Sequence, residues 1–154
     1  MRVTRMVAGL TAAVTATLGL SLATAGSAAA AGGGSWHAYG NTNPITSSSS
    51  TWRCASTVPV ATDVSAQVCA IRSPGGGAVQ GAVIVRNNRS SLYSVQAAMD
   101  LATSSASLGS WACPSSGVGA TSWSVCFGPT LSQSGPVNSV GEANDVNLGV
   151  SPNV

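Results

Sequence analysis

The chain has 154 residues, of which 6 are Lys or Arg and 4 are Asp or Glu, and its formal net charge is +2. There is no Lys and no basic run, which excludes a nucleic-acid binder, because such proteins draw their affinity from neutralising phosphates. The length suits one domain around one modest core.

Taken in chain order, residues 1–31 read as a secretory signal peptide. Arg2 and Arg5 precede a Val/Ala/Leu/Gly/Thr run, and small residues follow with A-x-A choices, placing cleavage after Ala29, Ala30 or Ala31. The run is interrupted by Thr and falls short of the roughly 20 apolar residues a membrane span needs. The mature chain then keeps four Arg (Arg53, Arg72, Arg86, Arg89) against four acids (Asp63, Asp100, Glu142, Asp145), so its formal net charge is zero. Secretion to the extracellular space is expected, with no membrane association after signal removal.

Residues 32–50 read as a flexible N-terminal leader. Three Gly precede Trp36, His37 and Tyr39, and a Ser/Thr/Asn stretch around Pro44 follows. A β domain is expected over 51–154. Strands are read at 52–56, 64–71 and 79–86, and 58–62 with Pro59 reads as a loop or edge segment. SPGGG at 73–77 is the strongest turn signal, since Pro presets one dihedral and Gly accepts positive φ. Over 92–102, Tyr93, Val95, Ala97, Met99 and Leu101 alternate with more polar residues, a period of two. Leu92, Val95, Ala98 and Met99 also share one helical face, but an Asn-Asn-Arg-Ser-Ser connection at 87–91 suggests a hairpin with the preceding run and favours a strand. Residues 111–113 and 122–127 are read as the next pair of strands, with weaker candidates at 137–140 and 146–150. Seven or eight short strands without a long helix predict an all-β fold, a small antiparallel β-sandwich or barrel stapled by two disulfides.

The chain has four Trp and four Cys, and twice a Trp stands two residues before a Cys: TWRC at 51–54 and SWAC at 110–113. In a strand, residues two apart share a face, so Trp52 lies beside Cys54 and Trp111 beside Cys113. Each Cys has a comparably spaced downstream partner, Cys69 or Cys126, preceded in both cases by Val. Four Cys admit three connectivities; the repeat favours Cys54 with Cys69 and Cys113 with Cys126, each bridge covered by an indole. Separations of this length do not suit a zinc site or a redox C-x-x-C.

Catalytic constellations are missing from the sequence. The one His, His37, sits in the leader, and Glu142 and Asp145 lie in a Gly/Asn-rich stretch where solvated charge is the ordinary reading. No P-loop, dinucleotide fingerprint or H-E-x-x-H is present. The expectation is a non-enzymatic monomer without cofactor or metal. Asn88-Arg89-Ser90 matches a glycosylation acceptor but reads as a turn tip. Candidate binding residues are Trp36 and Tyr39, the aromatics not assigned to a core, and Arg86 and Arg89 flanking the tip.

The export signal, Arg without Lys, and the Ser/Gly/Ala/Val body with two Trp-linked Cys pairs resemble the small exported proteins of actinobacteria, which implies secretion and a compact β body but no activity. Trp52-Arg53 is also similar to the Trp-Arg-Tyr loop of small secreted amylase inhibitors from such bacteria. Cys54 stands where that loop requires Tyr, so the inhibitory role is not carried over. The expected function is extracellular binding of a protein or polysaccharide through loops. One alternative is inhibition of an extracellular hydrolase through residues 55–68; another is cell-wall or polysaccharide binding through coplanar exposed aromatics. A hydrolase would need at least two of the acids Asp63, Asp100, Glu142 and Asp145, or His37, in one cleft.

Overall fold

A computed structural model describes residues 31–154; the expected signal peptide lies, apart from Ala31, outside the described residues. In chain order the strands are β1 (Gly32–Gly33), β2 (Ser35–Gly40), β3 (Thr51–Cys54), β4 (Val58–Ala61), β5 (Val64–Arg72), β6 (Ala78–Asn87), β7 (Tyr93–Ala102), β8 (Ser107–Val118), β9 (Ser122–Phe127), β10 (Leu131–Ser132), β11 (Asn138–Ala143) and β12 (Val146–Val150). Sheet I has the order β1-β8-β7-β11-β12, and sheet II the order β2-β9-β6-β5-β3, with β4 added to β5 and β10 to β6. Every pairing is antiparallel except that of β1 with β8. The expected all-β, disulfide-stapled class is the one observed. Twelve strands replace the seven or eight expected, because short edge pieces such as β1 and β10 carry too few residues to show a period.

The alternation over 92–102 is resolved as strand β7, with Val95, Ala97, Met99 and Leu101 buried and Ser94, Gln96 and Asp100 exposed. These inward residues meet Val68, Ala70, Val83 and Val85 of sheet II in one core. Glycines bring the sheets close: a Cβ on Gly141 would lie 2.8 Å from Cγ2 of Val68, and one on Gly81 would lie 3.1 Å from Cγ of Met99. SPGGG joins β5 to β6 as expected, with Gly76 at φ 77°. Asn144 and Asp145, both at positive φ, make the two-residue turn between β11 and β12 that right-handed strand twist prefers.

Two expectations about connections are corrected. Residues 88–92 do not close a hairpin, because β6 belongs to sheet II and β7 to sheet I. Likewise β8 and β9 are not a paired hairpin but pass from sheet I back to sheet II. At both places the first strand already has two neighbours in its own sheet, so the chain must cross to the other layer.

The flexible leader is corrected as well. Residues 32–40 form β1 and β2, which pair with β8 and β9. Glycines that looked like a linker are there for close packing: a Cβ on Gly32 would lie 2.9 Å from Cδ1 of Trp111, and one on Gly34 would lie 2.8 Å from Sγ of Cys113. Residues 41–50 then form a strap. β2 and β3 are the two edges of sheet II, four inter-strand steps apart, or about 19 Å, a gap ten residues span easily. The strap crosses the outer face, where Ile45 packs on Cys69, Ile71, Ala82, Ile84 and Val125 together with Tyr39, Trp52, Trp123 and Phe127.

Both disulfides have the expected local pairing, Cys54–Cys69 and Cys113–Cys126, and no free Cys remains among the described residues. Cys54 and Cys69 face each other across β3 and β5 within sheet II. Cys113 on β8 and Cys126 on β9 instead tie one sheet to the other through the core.

Candidate functional site

The most organised surface lies at one end of the sandwich, where the β4–β5 turn, the β6–β7 arch and the β8–β9 connection meet. Its anchor is Asn87, which is fully buried. The Asn87 amide nitrogen donates to the carbonyls of Ser91 (2.8 Å), Val118 (3.0 Å) and Gly119 (3.0 Å), while Oδ1 accepts from the Arg89 backbone at 2.9 Å. Buried amides with all partners satisfied fix a loop in one geometry. The backbone agrees: Asn88 N–H donates to Asp63 O and Thr121 N–H to Arg89 O.

On this frame sit two arginine–aromatic stacks. The Arg86 guanidinium lies 5.2 Å from the centre of the Trp123 ring, and that of Arg89 lies 5.0 Å from the centre of the Tyr93 ring. Arg86 donates to Asn88 Oδ1, Asn41 Oδ1 and Thr121 O, and Arg89 to Thr62 O. These acceptors are all neutral, so both charges are oriented without being neutralised. Next to Tyr93, Leu92 is 66 % exposed, the largest exposure among the big apolar side chains described. A Cβ on Gly117 would lie 2.8 Å from Cδ1 of Leu92, so the missing side chain at 117 leaves the seat on which Leu92 rests. Sequence reasoning singled out Arg86 and Arg89 but missed Asn87, Leu92 and Tyr93. Only the Asn-Asn-Arg-Ser-Ser turn chemistry hinted at them.

Trp36 and Tyr39 are not brought to this end as free platforms. Trp36 pairs in register with Cys126, packs against the core, and donates through Nε1 to Pro114 O at 2.7 Å, closing the gap between the sheet edges. Tyr39 packs on the outer cluster of sheet II edge-on to His37, 4.9 Å between ring centres, and burial raises its phenol pKa above the ordinary value. Trp52 and Phe127 are also edge-on, at 66°. None of these recorded pairs is coplanar, the arrangement a sugar-stacking surface would need. The segment 55–68 is mostly strand, β4 on β5, and only its Thr62–Asp63 turn reaches the loop end.

The acids divide. Asp100 and Glu142 line a cavity of about 270 Å³ on the outer face of sheet I, and Glu142 with Asp145 lines a neighbouring one of about 360 Å³ floored by Ala98 and Ala112. Asp63 sits in the β4–β5 turn, and His37 lies on β2 in the other sheet. Two acids thus meet at each of these cavities, the minimum a hydrolase would need, while Asp63 and His37 lie elsewhere. Among the described residues there is no group of three or more His, Cys, Asp or Glu that could hold a metal ion. The four Arg among the described residues all come from sheet II or the arch leaving it, whereas Asp100, Glu142 and Asp145 belong to sheet I or its β11–β12 turn, so the charge is polarised across the two layers.

No protein-family model matches the chain, and a search of curated proteins finds no match. The functional reading therefore rests on the geometry above.

Proposed function

We propose that this chain is a secreted, non-catalytic binding protein that holds an extracellular protein partner through its loop end. One observation carries the reading: Arg86 and Arg89 are stacked on Trp123 and Tyr93 and hydrogen-bonded only to neutral groups, on a loop frame that is pinned by buried Asn87 and also carries the exposed Leu92 beside Tyr93. Arg, Trp and Tyr dominate the energetic centres of protein interfaces, and a fixed loop loses little entropy on binding. Unneutralised guanidiniums held flat on aromatic rings fit an acidic partner surface, and Leu92 adds an apolar contact beside Arg89 and Tyr93. Two disulfides without a free Cys suit an oxidising compartment, in keeping with the export signal and with the likeness to exported actinobacterial proteins. The acids that share a face, Asp100, Glu142 and Asp145, are all exposed, and His37 lies on the other sheet, which favours binding over catalysis.

The test is retention of extracellular proteins by the immobilised mature chain. A species held by the wild type should be lost with the Arg86→Ala/Arg89→Ala pair, weakened by Leu92→Ser and by salt, and kept by Asp100→Asn/Glu142→Gln on the other sheet. Retention that ignores the loop-end changes overturns the reading.

A further inference from the structure

The two disulfides differ in what guards them. Cys113 and Cys126 are 1 % and 0 % exposed, and the backbone of Gly34 lies directly over Sγ of Cys113. Cys54 is only partly buried and sits at the last residue of β3, a four-residue edge strand paired on one side alone. Thiol–disulfide exchange needs access of a thiolate to one sulfur, and of the four Cys only Cys54 is not fully buried.

That same bond closes a strap. The hydrogen bonds made within 41–50 are local: Thr42 to Tyr39, Ile45 and Ser47 to Asn43, Ser48 to Ile45, Ser50 to Ser48. At its first residue, Asn41 Oδ1 accepts from Arg86. Beyond that point the strap is held by the buried Pro44 and by apolar packing of Ile45, and is tethered at its far end by β3. Beneath lies an apolar face formed by Ile71, Ile84 and Val125 with Trp52 and Phe127. Nε1 of Trp52, on β3 in the same cluster, is buried without an acceptor, a penalty that fraying of β3 would relieve.

We infer that Cys54–Cys69 is a redox latch: its reduction leaves the edge strand β3 held by its short ladder to β5 alone, lets β3 fray and the strap 41–50 lift about Asn41, and uncovers the apolar, aromatic face of sheet II, while Cys113–Cys126 keeps the sandwich intact. The thiolate of an external thiol attacks Sγ of Cys54, forming a mixed disulfide and expelling the Cys69 thiolate. A second thiolate attacks the reductant's sulfur, releasing the oxidised reductant as its disulfide and the Cys54 thiolate; water supplies the protons. Two electrons pass from two thiols to one protein disulfide.

The chain supplies its own readout. Trypsin cuts after Arg53, Arg72 and Arg89, so residues 54–72 carry one bridge and residues 90–154 the other. Under graded dithiol reductant followed by alkylation, the 54–72 peptide should take up two alkyl groups roughly tenfold or more sooner than 90–154, as access dictates. At that intermediate stage, amide exchange should rise over 41–54 and an environment-sensitive apolar dye should bind, with exchange in β6 and β7 unchanged. The Cys54→Ser/Cys69→Ser variant should bind the dye without reductant; if it does not fold, the half-reduced natural chain carries the test. Simultaneous reduction of both bridges, or selective reduction with no gain in exchange or dye binding, overturns the latch.

Discussion

TWRC and SWAC look like two copies of one device, and locally they are. In both, indole and sulfur share a strand face and fall in the same apolar cluster. Yet Trp52–Cys54 lies on the outer face of sheet II at an edge, in the cluster on which the strap packs, whereas Trp111–Cys113 points into the core and reaches the other sheet. Strand geometry sets which side chains travel together. What they do is set by which face the sheet turns toward its neighbour.

The sharpest way to break this comparison is to remove each bridge. Loops of 13 and 15 residues are nearly equal in closure entropy, about 3 kcal/mol each. If entropy were the whole account, Cys113→Ala/Cys126→Ala and Cys54→Ala/Cys69→Ala would lower stability alike. Their placement predicts otherwise: about 4 kcal/mol for the inter-sheet pair, which also leaves space in the core, and about 2 kcal/mol for the edge pair, whose loss is met by local fraying. Denaturant midpoints with unchanged slopes would measure this, and equal midpoints would return the two bridges to one class.

Asn87→Ala comes next. It strips partners from three carbonyls and an amide at a fully buried position, so a loss of about 3 kcal/mol is expected. If the loop end is the binding surface, affinity should fall by more than the stability change explains. Gly128→Ala should cost about 2 kcal/mol by overpacking, since its Cβ would lie 2.8 Å from Cε3 of Trp111. Gly33→Ala, on the same side of the molecule with nothing within 4 Å of its Cβ, is the control and should be near neutral in thermal melts.

These residues also show how far the sequence could be read. β7 was legible because one of its faces is buried and the other wet, and the SPGGG turn because its chemistry is local. The pairing of the cysteines was legible because Trp and Cys are rare enough for a repeat to stand out. Sheet membership was not: Asn87 directs the chain into the other layer through carbonyls of Val118 and Gly119, thirty-odd residues away. Gly32 and Gly34 were misread for a related reason. A glycine that leaves room for an indole or a sulfur has the same letter as one in a linker, and only the Trp111 and Cys113 beside it tell them apart. At the site, Arg86 and Arg89 could be picked out by charge, but Leu92 could not, since its exposure follows from β7 beginning one residue later.

A small expected effect sharpens the comparison most, because it separates the two indoles themselves. Trp111 is 8 % exposed and closely approached by Gly32, Gly109 and Gly128, so Trp111→Phe removes volume from a space shaped to the ring and should cost about 2 kcal/mol. Trp52 also packs in a cluster, but its Nε1 has no acceptor. Trp52→Phe loses some contact area and at the same time removes a buried, unpaired donor, and the two terms oppose each other at about 1 kcal/mol each. Thermal melts should therefore place Trp52→Phe within about 1 kcal/mol of the natural chain, on either side. A loss as large as that of Trp111→Phe would mean that the outer cluster is packed as tightly as the core, and that the strap is a fixed third layer of the fold and not a cover.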